Sequence, residues 1–101
     1  MIKLFGYEYA IECKDSISEM DAFGRYHSKT LTIQIANNIC PQQKVSTLIH
    51  EVLEAINYHL NVKLKHEAIC QLETGLMDFL SSNNLVSDKL LDLLPEEQNN
   101  E

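Results

Sequence analysis

This chain has little cysteine, no excess of basic residues, no long apolar run and no internal repeat. Each absence removes a class of protein. Three cysteines in 101 residues, Cys13, Cys40 and Cys70, are widely spaced and odd in number, which does not read as a disulfide framework. Eight lysines and arginines stand against 15 acids, for a formal net charge of -7. A phosphate backbone is repelled by such a balance, so nucleic acid is not expected as a partner. No stretch approaches the length of a bilayer span, so no membrane partner is expected. Met1 to Ala10 carry one lysine and no long apolar run, which does not read as a signal peptide. Together these traits suit a reducing cytoplasm. An apolar fraction of 45% with 23% charged residues is that of a globular chain, and this length suits one domain with a modest core. The domain is expected over residues 1–95, followed by a flexible acidic tail over 96–101.

The expected fold class is α+β: a small N-terminal antiparallel or mixed sheet followed by two or three helices. Ile2 to Cys13 read as a strand bent at Gly6, and Asp15 to Asp21 as a polar turn. Ser28-Lys29 suggests a tight turn between two strands. In the second of these, Leu31, Ile33 and Ile35 alternate with Thr30, Thr32 and Gln34, the period of a half-buried strand. Pro41 suits the first turn of a helix running to about Leu60, with Asn61 at its end. A second helix is expected from about Lys65 to Leu80, with Ile69, Leu72, Leu76, Phe79 and Leu80 facing the core. A short third one is expected over Val86 to Leu94, capped by Ser87 and stopped by Pro95.

The chemistry concentrates on the first long helix. At about 100° per residue, Ile49, Val52, Leu53, Ile56 and Leu60 form its apolar side. His50, Glu54, Asn57 and Asn61 form a neighbouring stripe. His50 and Glu54 therefore point the same way, one turn apart, as two ligands of one ion do. Glu51 lies on the flank, where a carboxylate can act as general base toward a metal-activated water. Taken alone, such a stripe is also what a solvated helix face looks like.

The second helix adds His66, Cys70, Glu73 and Met77 on one stripe beside its apolar face. A short link from Asn61 to Leu64 brings His66 toward the first helix as a third ligand. Glu67 and Glu73 are the alternatives: helical phase turns Glu67 to solvent and puts Glu73 beside the core, where it needs a partner. Cys70 reads as a small buried hydrophobe, His27 as an exposed hairpin residue, and His59 as lying away from the His50 and Glu54 stripe.

The order of these features resembles the zincin-like metallopeptidases, most closely the small ImmA/IrrE-type and phage-encoded members. The segments that carry the likeness are Gly24-x-Tyr26, a turn, the strand from Leu31 to Ile35, a proline-containing loop and Thr47-Leu48-Ile49-His50-Glu51. It covers roughly residues 22–80. The resemblance implies a peptide or protein substrate, His50 as first ligand and Glu51 as catalytic base. It also implies that the strand of Leu31, Ile33 and Ile35 offers its edge to an extended peptide. A third ligand, usually acidic in those proteins, would come from Leu64 to Leu72, where His66 and Glu67 fall. Glu54 stands where the second histidine is expected. Zinc accepts carboxylate oxygen, and the added negative charge shifts preference toward a harder ion such as manganese. The alternative is a metal-free, non-catalytic member, encoded by a phage or mobile element, that binds a host or regulatory protein.

Overall fold

The computed structural model describes residues 1–15, 23–86 and 88–95. Four strands, β1 (Ile2–Leu4), β2 (Tyr7–Lys14), β3 (Gly24–His27) and β4 (Thr32–Ala36), precede three helices, α1 (Pro41–Leu60), α2 (His66–Ser82) and α3 (Asp88–Leu91). The expected α+β class holds. The strands form one mixed sheet in the order β1-β2-β4-β3, antiparallel at both flanks and parallel between β2 and β4. The expected polar turn after Asp15, the Ser87 cap and the tail from Glu96 lie outside the described residues.

The first strand is not one bent run but a hairpin. Leu4 pairs with Tyr7, leaving Phe5 and Gly6 as a two-residue turn with φ of 53° and 79°. Positive φ at both central positions matches the twist of the flanking strands. Gly6 adopts it freely, and Phe5 bears a cost of about 1 kcal/mol. In the second hairpin Leu31 also has positive φ, 49°, so it closes the turn and β4 begins only at Thr32.

The face of the sheet that carries Ile11, Ile33 and Ile35 packs on Leu48 of α1. Tyr26, Val52, Ile2, Ile39, Leu93 and Leu94 close around that cluster. Leu93 and Leu94 thus serve the chain's own core. The buried line of α1 differs from the expected one. It runs through Lys44, Val45, Thr47, Leu48, Glu51 and Ala55, while Leu60 is exposed. Of the two residues that the helical spacing allows at the start of the apolar side, Leu48 or Ile49, it is Leu48 that is buried against the strands, so the contact lies one flank away from the Ile49 to Leu60 stripe.

A left-handed Asn61 caps α1, with φ of 51°. Asn57 then fastens the link to α2. It accepts from Leu64 N–H at 2.8 Å and donates to Leu64 O at 3.3 Å. Among the described residues α2 packs on α1 and on no strand. Only Ile69 of α2 is buried, and Leu72, Leu76 and Phe79, expected to face the core, are exposed. A second helix stacked outside the first cannot reach the sheet.

Candidate metal centre

The helical hairpin brings α1 and α2 together with opposite directions, so that His66 meets Glu54 and Glu73 meets His50 and Ser46. Glu54 Oε1 lies 3.6 Å from His50 Nε2 and 3.8 Å from His66 Nδ1. These separations are too long for hydrogen bonds. They fall within a few tenths of the roughly 3.4 Å edge of a tetrahedron built on zinc–ligand bonds of about 2.1 Å. The His50 and His66 rings stand 5.2 Å apart at 63°. One donor atom each from His50, Glu54 and His66 lie within 4.8 Å of one another. Two imidazoles and one carboxylate with an open side are a donor set that catalytic zinc uses. His66 is the exposed arm of this group, with 73% of its side chain accessible.

A second set overlaps the first: His50, Cys70 and Glu73 also lie within 4.8 Å of one another. Cys70 Sγ is 3.4 Å from His66 Nε2. Burial, then the carboxylates of Glu73, Glu54 and Glu67, push its thiol pKa up. Glu73 accepts from His50 Nδ1 at 2.7 Å and from the Ser46 hydroxyl at 2.6 Å, the partner that its place beside the core requires. Glu67 is exposed and belongs to neither set.

Glu51 sits on the inner side of the centre, 6% exposed. Burial is the main cause that raises its pKa from 4.5 to about 7. His50 opposes the rise, and Glu54 and Glu73 add to it. Its neighbour on the sheet side is Gly24. A Cβ there would collide with Thr47 Cγ2 and come within 3.0 Å of Gln34 O and 3.2 Å of Glu51 Oε2. Bare backbone at the start of β3 is therefore what lets the strand lie against α1 beside Glu51. Gly24→Ala is expected to cost about 1–3 kcal/mol by overpacking, read from urea unfolding; an unchanged midpoint would show that Thr47 yields freely.

The edge expected on Leu31, Ile33 and Ile35 is corrected by the sheet order. β4 is paired with β2 on one side and β3 on the other. Ile33 and Ile35 are fully buried and Leu31 is a turn residue. Among the described strands, the outer one beside the centre is β3. The parallel β2–β4 pairing, a long-range contact that no local pattern encodes, moves β4 inward.

Two features escaped the sequence. Ser46 lies one turn before His50 on the same stripe, a spacing that could have flagged it. His59 gathers a separate aromatic cluster: Tyr9 Oη bonds its Nε2, Tyr26 Oη lies 3.4 Å away, and Tyr7 stacks on it at 5.6 Å. Burial and Tyr9 raise the Tyr26 pKa. His27 is half-buried rather than exposed, with Nε2 3.1 Å from Gln34 Oε1.

Compared with family models, curated proteins and solved structures, the chain matches none. Among the described residues no helix is long and apolar enough to cross a membrane.

Proposed function

We propose that this protein is a metal-dependent peptidase in which His50, Glu54 and His66 hold a divalent cation and Glu51 is the general base. The observation that carries this reading is the convergence of those three donors from two helices beside a buried carboxyl whose pKa is about 7. The zincin resemblance calls for histidine at the second motif position and an acidic third ligand. Here the two have changed places, with the carboxylate on α1 and the imidazole on α2, and the sum of two imidazoles and one carboxylate is kept. That sum suits zinc, with manganese the alternative.

The cation supplies Lewis acidity toward the scissile carbonyl and toward water. Glu51 accepts the proton of the attacking water and returns it to the departing amine. A group that titrates near neutrality suits both transfers. Supporting a peptide substrate is the position of β3, the outer described strand, whose Gly24 lies beside Glu51. An extended peptide adds there by main-chain hydrogen bonds. The acidic, cysteine-poor chain suits work in a cytoplasm, that of a host if the chain is phage-encoded.

The non-catalytic alternative draws support from α2, whose exposed Leu72, Leu76 and Phe79 offer an apolar stripe to a protein partner. Metal content separates the two. Protein purified without a metal-binding tag is expected to hold near-stoichiometric zinc or manganese, and His50→Ala to hold none. An empty wild-type protein, even after reconstitution with either ion, leaves only the binding reading.

A further inference from the structure

His50 has two ring nitrogens, and only one of them faces Glu54 and His66. Nε2 is the one 3.6 Å from Glu54 Oε1. The other, Nδ1, lies 2.7 Å from Glu73 Oε1. An ionised carboxylate only accepts hydrogen bonds, so the proton of this contact sits on Nδ1. Glu73 is held in turn, because its Oε2 accepts from Ser46 Oγ at 2.6 Å. Ser46 and His50 are one turn apart on α1, and Glu73 reaches both from α2. The three side chains form a closed bridge between the helices.

We infer that Glu73, braced by Ser46, is a positioning residue that fixes His50 as the Nδ1–H tautomer and directs a cation to the Nε2 side, between Glu54 and His66. This rests on the proposed metal site for its consequence, but the tautomer itself belongs to the metal-free protein. The overlapping set of His50, Cys70 and Glu73 is disfavoured by the same contacts. Using Nδ1 there requires it to lose its proton and Glu73 to leave a bond it already makes. Partners of this kind set ring orientation and raise ligand basicity, and losing one typically costs about 10–100-fold in metal affinity.

The test is long-range proton–nitrogen NMR of histidine-labelled, metal-free protein, at a pH where His50 is neutral, followed by zinc titration. Wild type is expected to show His50 with a protonated Nδ1 and a bare Nε2. Glu73→Ala is expected to shift it to the Nε2–H form and to weaken zinc about 10–100-fold. Glu73→Gln, which keeps an acceptor oxygen, retains the Nδ1–H form, and Ser46→Ala falls between. The amide spectrum of each variant reports that it is folded. An Nε2–H tautomer in the wild type, or a tautomer unmoved by Glu73→Ala, overturns the assignment. So does zinc binding abolished by Glu73→Ala but intact in Glu54→Ala, which makes Glu73 the ligand. The two readings fail separately. A wild type with the Nδ1–H form that takes no zinc removes the metal site and leaves the bridge; zinc bound by a protein with the Nε2–H form removes the bridge alone.

Discussion

Glu51→Gln is expected to lower kcat on unstructured peptides by about 10²–10⁴-fold, the span that a positioned general base contributes, while zinc remains bound. Glutamine keeps the shape of the side chain beside Gly24 and Thr47 and removes only the ability to take a proton. His50→Ala should behave differently, losing metal and activity together, because it removes a donor common to both candidate sets. Kinetics and metal analysis on the same three proteins give the pattern. Full activity in Glu51→Gln would remove the proposed mechanism even if the metal is present. Loss of metal in that variant would make Glu51 a ligand rather than a base.

The same carboxyl should make the stability of the metal-free protein depend on pH. Its folded-state pKa is about 7 against an ordinary 4.5, because burial disfavours the charged form. Below pH 4.5 the group is protonated in both states and costs nothing. As pH rises from 4.5 toward 7, the unfolded chain releases the proton while the folded protein keeps it, so stability falls. Above 7 the loss is complete. At about 1.4 kcal/mol per pH unit, it amounts to about 3 kcal/mol. Glu51→Gln carries no such term. Its stability advantage over wild type, from urea unfolding of both metal-free proteins, should grow by about 3 kcal/mol between pH 4 and pH 8. A difference that stays constant with pH would mean that Glu51 is solvated rather than held in a dry site. The destabilisation itself is informative. Nothing in the packing of Ile33, Ile35 and Leu48 requires a carboxyl at this place.

Much of this was legible locally. The alternation of Leu31, Ile33 and Ile35 marks a strand that forms as β4 from Thr32 to Ala36, buried on both faces rather than one, while the proline that opens α1 and the asparagine that ends it stand where turn chemistry puts them. The pairing of His50 with Glu54 follows from helical spacing alone. His66 was reachable as a third donor because the short link from Asn61 to Leu64 suits two antiparallel helices, which bring it toward α1. Ser46 was on the same stripe and could have been read with it.

The sequence by itself thus points to an α+β chain with two long helices and a histidine–carboxylate face. The period and turn signals responsible act over a few residues, where backbone sterics decide. Only the tertiary structure decided that β2 pairs with β4 in parallel, and therefore that β3 rather than β4 lies on the outside beside Glu51. It also decided that the buried line of α1 runs through Val45, Thr47, Leu48, Glu51 and Ala55 rather than toward Leu60, that α2 rides outside α1 with Leu72, Leu76 and Phe79 uncovered, and that Glu73 ends on His50 Nδ1. The physical reason is common to all four. Each depends on which surfaces come together after the elements form, a balance of burial and close approach between residues far apart in the chain. A pattern that repeats every two or every 3.6 residues reports which face is apolar, but carries no term for what that face will meet.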